Sequence, residues 1–291
     1  MISILIPLYN FPVVPLVEEL LKQAISTSIT FEIIIINDAS IVFNEENEIL
    51  TQFEKVGYIK HNENQGRTKI RQQLAQQARY DWLLFLDADV IPAEGGFLKK
   101  YDESLKKNIP IVAGGVIYHR NKPEKEKALR YKYGIWREEK TTEQRNKENH
   151  IVVSANLLIK KEVFQKINTV THNFYGDDLL LSSNIMKLDI KVLHIDNPVI
   201  HLGLESNQVF LEKSLAAVES LVALENSKDL LDNLTKIQKT YKFLKKNALH
   251  TFIHPLLGIF KNSMRRNLLS KNPSLFLFDL YRLYHYISIK R

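Results

Sequence analysis

The chain has 291 residues, of which 45% are hydrophobic and 25% charged, and it contains no cysteine. These values are typical of a globular protein with a sizeable core, and the lack of cysteine excludes disulfides, thiolate metal sites and thiol nucleophiles. The net charge of +7 is unevenly spread, because residues 236–291 carry twelve Lys or Arg and one acid while residues 1–235 have a net charge of −4. The basic C-terminal end predicts a negatively charged partner.

Strand-like and helix-like segments alternate through the first 120 residues. Apolar runs predict strands at 2–8, 31–36, 58–60, 82–86 and 111–113, and amphipathic segments predict helices at 13–26, 45–53, 65–79 and 96–107. This alternation predicts right-handed crossovers and an α/β fold with a mostly parallel sheet and helices on both faces.

The second half of the chain is less regular. Residues 118–149 are charged with scattered aromatic residues, and we expect a loop or flap there. Further helices are predicted at 161–166 and 177–188, with short strands at 191–194 and 199–202. From residue 206 the pattern is helical, with interruptions expected near 226–227, Pro255 and 272–273. The predicted domains are therefore 1–205, an α/β domain, and 206–291, a basic helical region.

The N-terminus shows no targeting signal. The apolar run at residues 2–7 has no basic segment before it, and no eighteen consecutive apolar residues occur anywhere in the chain. We therefore expect neither a signal peptide nor a transmembrane helix, and a cytoplasmic location.

Two carboxylates, Asp87 and Asp89, directly follow the apolar strand predicted at 82–86. Like charges one residue apart disfavour each other's ionisation unless a cation is near. Mg²⁺ and Mn²⁺ prefer carboxylate oxygens and also bind phosphates, and ligands of open α/β sheets lie beyond the carboxyl ends of the strands. The pattern predicts a divalent-metal site; an acidic turn or helix cap is the alternative interpretation.

Two further segments carry polar residues at predicted strand or helix ends. Asp38 follows the second strand, where nucleotide-binding α/β domains place a carboxylate, although a helix N-cap is the alternative. Gly66, Arg67 and Arg71 open a predicted helix, and they indicate either an anion site at its N-terminus or a plain capped surface helix.

Several common catalytic motifs are missing from the sequence. Neither G-x-G-x-x-G nor G-x-x-x-x-G-K-[ST] occurs, and H-E-x-x-H and G-x-S-x-G are also missing. These absences disfavour NAD-dependent enzymes, P-loop proteins, zinc proteases and serine hydrolases.

The chain resembles the family 2 glycosyltransferases, which have the GT-A (Rossmann-like) fold. Residues 2–10 resemble their opening strand, 34–40 their V-D-D-G-S segment, 64–71 their N-x-G-x-x-x-A-R-N segment, 85–89 their F-L-D-A-D metal motif and 176–178 their later G-E-D. His201 falls where many members carry a histidine. These matches occur in the family's order over roughly residues 1–205.

The resemblance implies roles for individual residues. The nucleotide-sugar-binding residues would be Pro7, Tyr9, Asp38, Arg71, Asp87 and Ala88. Asp89 would bind Mn²⁺ or Mg²⁺, with His201 as a further ligand or, alternatively, as a packed structural residue. Asp178 would be the catalytic base.

The chemistry of these residues agrees with sugar transfer. A metal stabilises a departing diphosphate, and a carboxylate removes the proton of an acceptor hydroxyl. One metal-binding Asp and one basic Asp suffice for single displacement with inversion. We expect a nucleoside-diphosphate donor, with UDP the commoner nucleotide in such enzymes. The expected product is a hexosyl or N-acetylhexosaminyl unit on a glycan or lipid-linked acceptor of cell-surface polysaccharide or lipopolysaccharide synthesis.

The sequence departs from the family pattern at two positions. Asn37 replaces the first Asp of the D-D pair, and Asp177 replaces the Glu of G-E-D, but the second Asp is kept each time. The Q-x-x-R-W signature of processive synthases does not occur, which favours transfer of one sugar at a time.

Two segments bear on the acceptor and on partners. Residues 130–138 are aromatic and basic, and they would face a sugar-lipid acceptor or form a surface loop; Asn156 loosely resembles the segment below the acceptor site. In the tail, basic residues alternate with Phe276, Phe278, Leu280, Tyr281, Tyr284 and Ile287. This pattern indicates either a helix that lies on the anionic inner face of the cell membrane or a helical subdomain with its own core. No nucleic-acid motif accompanies it.

Two other functions stay open. A sugar nucleotidyltransferase also uses an acidic metal site, but it would carry a glycine-rich basic loop where this chain has residues 10–13, N-F-P-V. A non-catalytic binding module on the same fold is the other alternative, and the presence of both Asp89 and Asp178 argues against it.

Overall fold

The computed structural model describes residues 1–25, 27, 29–121, 123–168 and 176–291. These residues divide into two units by their contacts. The α/β unit comprises 1–119, 139–168 and 184–203, and the helical unit comprises 120–138, 176–183 and 204–291. The helical unit therefore includes segments that come well before residue 206 in the chain.

The strands are β1 (Ile2–Leu8), β2 (Phe31–Asn37), β3 (Val56–Lys60), β4 (Trp82–Leu86), β5 (Val90–Pro92), β6 (Ile111–Ala113), β7 (Val116–Tyr118), β8 (Asn156–Lys160), β9 (Val192–His194) and β10 (Val199–His201). The helices are α1 (Val14–Ile25), α2 (Asn44–Glu48), α3 (Arg67–Gln77), α4 (Phe97–Leu105), α5 (Ala128–Tyr133), α6 (Thr142–Lys147), α7 (Lys161–Ile167), α8 (Asp177–Lys187), α9 (Asn207–Asn226), α10 (Lys236–Lys246), α11 (His250–Leu268) and α12 (Leu275–Lys290).

The main sheet of the α/β unit has seven strands in the order β3-β2-β1-β4-β8-β6-β9. Only β8 runs antiparallel to its neighbours, and the other pairs are parallel. Nearly every side chain of β1, β2 and β4 is buried, as expected for strands covered on both faces. The predicted mostly parallel α/β fold is confirmed.

This topology gathers particular residues at one edge of the sheet. Because β1 is parallel to both β2 and β4, the three strands end at the same edge. Tyr9, Asp38 and Asp87 each directly follow one of these strands. The sheet itself therefore brings together residues that are distant in sequence.

A second, three-stranded sheet has the order β5-β10-β7. Strand β10 pairs antiparallel with β5, with His201 opposite Val90, and parallel with β7, with His201 opposite Tyr118. Since β5 begins directly after Asp89, this small sheet brings β10, near the end of the α/β unit, next to the segment that contains Asp87 and Asp89.

The prediction of a loop or flap over 118–149 is wrong in part, because this segment contains short helices. They are α5, α6, a 3₁₀ turn at Lys125–Lys127 and a π-helical turn at Gly134–Glu138. Helix α6 begins with a capping box, in which Thr141 and Gln144 each bond the other's backbone N–H. The T-x-x-Q spacing at 141–144 is a sequence signal for a helix start.

The interruption expected at Pro255 does not occur, because α11 continues through this residue. A proline removes one backbone hydrogen bond to the residue four positions earlier. Pro255 and Thr251 are both exposed, so water can satisfy the carbonyl that loses its partner. The helical break instead falls between α10 and α11.

The C-terminal helix α12 lies in the core of the helical unit. Phe278, Tyr281 and Ile287 are buried, and the Phe278 ring stacks on Phe210 of α9 with centroids 5.7 Å apart. Protein therefore covers these three side chains, as the subdomain alternative expects, whereas Phe276 of the same helix is 69% exposed; contact of the tail with a membrane stays a prediction. In the described part of the chain, no helix is both long and apolar enough to cross a membrane.

Candidate active site

Asp87 is held by two arginines from the first turns of α3. Arg67 Nη2 lies 2.8 Å from Asp87 Oδ2, and Arg71 Nη2 lies 2.8 Å from Oδ1. Residues four apart on a helix share one face, so a single helix end supplies both guanidinium groups. Arg71 is only 2% exposed, whereas Arg67 is 44% exposed. The two cations predicted to hold an anion therefore bind a carboxylate of the same chain.

The charge on Asp87 is set by these neighbours. Burial raises the pKa of its carboxyl group, because the charged form loses water. The charges of Arg67, Arg71 and His201 and the hydrogen bond from Arg71 outweigh burial, and the pKa lies below its usual value. Asp87 is therefore ionised at neutral pH, and its charge is compensated from within the chain.

Asp89 and His201 lie side by side. His201 Nε2 is 3.3 Å from Asp89 Oδ2, and both side chains are largely shielded from solvent. The pairing of β5 with β10 sets this contact, and the Leu202 N–H donates to the Asp89 carbonyl oxygen at 2.8 Å. The Tyr118 ring packs beside the imidazole, with centroids 5.4 Å apart. The structure thus brings together the two residues predicted to bind the metal.

Gly203 is a site residue that the sequence patterns did not single out. A Cβ at this position would overlap Asp89 Oδ2 and lie 2.9 Å from Asp89 Cγ. Such a contact is far closer than packed atoms allow, so any larger residue would push the Asp89 side chain aside. Gly203 belongs to no recognisable motif, and only the fold reveals its proximity to Asp89.

The donor set at this position fits a divalent metal shared with a substrate. Asp89 offers carboxylate oxygens and His201 an imidazole nitrogen, and Mn²⁺ accepts both ligand types. Among the described residues, no group of three or more His, Cys, Asp or Glu side chains could enclose a metal. Asp89 and His201 as two protein ligands would leave positions for phosphate oxygens and water, as is common for Mg²⁺ and Mn²⁺ in phosphate-binding sites.

Asp38 fastens the loop that precedes α3. Its Oδ1 accepts a hydrogen bond from the Gln65 N–H at 2.7 Å, and Oδ2 accepts one from the Gly66 N–H at 2.8 Å. Gly66 has φ = 84°, a conformation that favours glycine. The buried carboxylate therefore positions the start of the helix that carries Arg67 and Arg71. The nucleotide-binding role of Asp38 stays a prediction.

The remaining predicted nucleotide-binding residues lie at or near the same sheet edge. Tyr9 is half exposed just beyond β1, Pro7 is partly buried within β1, and Ala88 is buried between the two aspartates. Asn10, which follows Tyr9, accepts a hydrogen bond from the Ile41 N–H at 2.8 Å, and this bond connects the loop after β1 to the loop after β2. An exposed aromatic ring at this edge suits stacking on a nucleobase.

Asp178, the predicted catalytic base, lies in the first turn of α8 in the helical unit. Its side chain is partly buried, and the neighbouring Asp177 is buried. Helix α8 follows Gly176, whose φ of 98° also favours glycine. The role of Asp178 as a base stays a prediction.

In residues 130–138, the segment predicted to face the acceptor, both arginines form ion pairs with other residues of the chain. Arg130 is buried and pairs with Glu138 at 2.9 Å, and Arg137 pairs with Asp279 at 2.7 Å. Trp136, in contrast, is 75% exposed on the π-helical turn. Trp136 is therefore the residue of this segment best suited to stack on a sugar ring.

Asn156 has a structural position. Its amide accepts a hydrogen bond from the Tyr101 hydroxyl at 2.6 Å and donates to the carbonyl oxygens of Gly115 and Asn197. The side chain is buried with all of these partners. It therefore ties β8 to the ends of β6 and β9, and its own polar groups are occupied by protein.

The sheet order and the acidic residues beyond its carboxyl edge place the α/β unit in the class of Rossmann-like folds. The sequence matches the family model for glycosyl transferase family 2 over residues 3–168. Because this match covers more than half of the chain, the protein belongs to glycosyl transferase family 2. The predicted family is confirmed.

Two individual proteins are similar to this chain. An uncharacterized glycosyltransferase of Haemophilus influenzae is 34% identical over 192 residues, which are 62% of this chain and 61% of the relative. The chain thus spans about three fifths of the length of this curated relative. A mannosyltransferase of Pyrobaculum calidifontis, solved in complex with GDP-Man and Mn²⁺, has a TM-score of 0.60 at 12% identity, covering 99% of this chain and 86% of that one. This second likeness supports the GT-A fold.

Proposed function

We propose that the protein is a metal-dependent, inverting glycosyltransferase that moves one sugar from a nucleoside-diphosphate sugar to an acceptor hydroxyl. The observation that carries this proposal is the contact of Asp89 with His201 directly beside the arginine-held Asp87. Membership of glycosyl transferase family 2 supports the reaction class.

The donor binds at the carboxyl edge of the main sheet in this proposal. Tyr9 and Pro7 line the nucleobase side, Asp38 contacts the base, and Asp87 with Ala88 lies on the ribose side. UDP is the expected nucleotide by family resemblance. The mannosyltransferase of similar fold holds GDP-Man and Mn²⁺, which supports a nucleotide sugar and a divalent metal in general terms.

Arg71 stabilises the ionised Asp87 while the donor binds, and Asp89 and His201 hold Mn²⁺ or Mg²⁺. The metal, when bound, supplies Lewis-acid stabilisation of the departing diphosphate. Asp178 takes the proton of the acceptor hydroxyl as its oxygen attacks the anomeric carbon. The bond to the diphosphate breaks on the opposite face of the sugar, which inverts the anomeric configuration.

The acceptor in this proposal is a glycan or a lipid-linked sugar used for cell-surface polysaccharide or lipopolysaccharide. The exposed Trp136 stacks on an acceptor ring, since aromatic faces suit the apolar faces of sugars. The site of action is the cytoplasmic side of a membrane, where nucleotide sugars and lipid-linked acceptors meet.

The first experiment is NMR-monitored hydrolysis of UDP-glucose, UDP-galactose, their N-acetylated forms and GDP-mannose, each with and without MnCl₂. We expect slow, metal-dependent release of sugar from one donor, with inverted configuration before mutarotation. Asp89→Ala should abolish this release. Glu103→Ala, which removes an exposed acid of α4, should leave it unchanged.

Four results would overturn the proposal. Release that is independent of metal, or release unaffected by Asp89→Ala, would remove the metal role. No release from any donor, together with no nucleotide-induced NMR shifts, would favour a non-catalytic binding module. Formation of pyrophosphate from a nucleoside triphosphate and a sugar 1-phosphate would identify a nucleotidyltransferase instead.

A further inference from the structure

Helix α11 has an exposed apolar stripe opposite its buried face. Phe252, Leu256, Ile259 and Phe260 are 74%, 53%, 78% and 53% exposed, while Leu257, Met264 and Leu268 are buried in the core of the helical unit. The exposed residues follow the i, i+4, i+7, i+8 spacing of one helix face. A row of large apolar side chains in water indicates an interaction surface.

Exposed apolar residues also occur just before the stripe in the sequence. Phe243 of α10 is 62% exposed, and Leu249, at the start of α11, is also exposed. We call Phe252, Leu256, Ile259 and Phe260, whose spacing places them on one side of α11, the apolar face. All of them belong to the helical unit.

The charge of the same helices is entirely basic. Residues 236–278 contain nine Lys or Arg and no Asp or Glu. All five lysines of α10 are exposed. In α11, the exposed Arg265 and Arg266 line an open cavity of about 360 Å³ together with Asn262. This combination of apolar and cationic groups is characteristic of helices that lie in the interface of an anionic bilayer.

Other occupants fit this surface less well. A nucleic acid would bind the cations but would leave aliphatic side chains such as Leu256 and Ile259 in water. A second copy of the chain would bring another set of the same basic residues close to the first, with like charges repelling. An anionic bilayer accommodates both the cations and the apolar side chains.

We propose that the apolar face and the exposed cations of α10 and α11 dock the helical unit onto an anionic phospholipid bilayer. The apolar side chains enter the boundary between headgroups and acyl chains, and Arg265 and Arg266 bind headgroup phosphates. The apolar side chains of this surface belong to α11, and not to the buried side of α12. This inference rests on the proposed function, because docking would give the enzyme access to a lipid-linked acceptor.

The test is cosedimentation of the full chain with vesicles. Vesicles of phosphatidylcholine with about one third phosphatidylglycerol should bind the protein, and pure phosphatidylcholine should bind it weakly. The substitution Ile259→Ser should weaken binding by roughly tenfold or more, since a largely exposed apolar side chain no longer enters the bilayer. The matched control is Ile25→Ser, because Ile25 is 88% exposed at the end of α1 in the α/β unit.

A second variant tests the electrostatic part. Arg265→Gln combined with Arg266→Gln should lower binding to the anionic vesicles by roughly tenfold, and added salt should act in the same direction, because each cation near the surface contributes to the attraction. These cations are exposed, so the fold should tolerate their loss, and circular dichroism checks this.

Several outcomes would overturn the docking proposal. They are no binding to anionic vesicles, binding equal for Ile259→Ser and wild type, or a concentration-dependent dimer that Ile259→Ser dissolves. Donor hydrolysis in solution is measured separately without vesicles. Hydrolysis with no vesicle binding overturns only the docking surface, and vesicle binding with no hydrolysis overturns only the proposed function.

Discussion

Asp89 and His201 approach each other to 3.3 Å because β5 and β10 pair antiparallel immediately beside them. The pairing within the small sheet brings His201 to Asp89, whereas Asp87 directly follows strand β4 of the large sheet. Three residues near the ends of these strands therefore lie together: Asp89, His201 and Gly203. Four predictions test this arrangement and the other predicted site residues.

Gly203→Ala should weaken metal-dependent nucleotide binding. The new Cβ would overlap Asp89 Oδ2, so the carboxylate must rotate away from His201. We expect Mn²⁺-dependent affinity for UDP or GDP, measured by calorimetry, to fall at least tenfold, with a stability loss of about 1–3 kcal/mol from overpacking. Gly95→Ala is the matched control, since a Cβ there meets no atom within 4 Å. Unchanged affinity in Gly203→Ala would show that the position of Asp89 does not matter for binding.

Arg71→Met should destabilise the protein more than Arg67→Met. Removing one partner of a buried ion pair typically costs roughly 3–5 kcal/mol. Arg67 still compensates Asp87 in the variant, so we expect about 2–3 kcal/mol in urea unfolding. The loss for the more exposed Arg67 should stay below about 1 kcal/mol. Equal losses for the two variants would contradict the greater burial of Arg71.

Asp38→Asn should lower the free energy of unfolding by about 1–3 kcal/mol, because the amide can accept only one of the two backbone hydrogen bonds and its NH₂ group would face the other N–H. Urea unfolding of Asp38→Asn against Asp81→Asn, an exposed aspartate before β4, measures the difference. If Asp38→Asn is as stable as the control and loses only nucleotide affinity, the carboxylate acts on the ligand alone.

Asp178→Asn should leave nucleotide binding intact and slow sugar release by roughly 10²-fold or more, the range expected for loss of a general base. Calorimetry with UDP or GDP measures binding, and the NMR assay measures release. Asp189→Asn is the control on the same segment, because Asp189 is exposed and its φ of 49° suits asparagine equally well. Release at the normal rate in Asp178→Asn would show that another group serves as the base.

Much of the fold could be predicted because strong local patterns set it. The apolar runs at β1, β2 and β4 are long, those of β1 and β2 are rich in Ile, and the strand direction follows from the helices between them. Asp87 and Asp89 could be placed at the sheet edge for the same reason. Strands β5 and β7 have only three residues each, too few for a periodic pattern, so the second sheet could not be predicted.

Other features depend on tertiary contacts that leave no local pattern. An amphipathic helix looks the same whether protein or lipid covers its apolar face, so periodicity could not distinguish the buried α12 from the exposed stripe of α11. Arg67 and Arg71 indicated an anion, but not that this anion is Asp87. Gly203 carries no motif, and its role becomes visible only through the distance to Asp89.

In the proposed function, the pairing of β5 with β10 would also link metal affinity to completion of folding. In a partly folded chain that has formed β1 to β5 but not yet paired β10 with β5, His201 does not lie beside Asp89. We therefore expect Mn²⁺ to bind the complete α/β unit better than any partly folded form, and to raise its melting temperature accordingly. Mn²⁺ binding followed over time during refolding would then report when β10 pairs with β5.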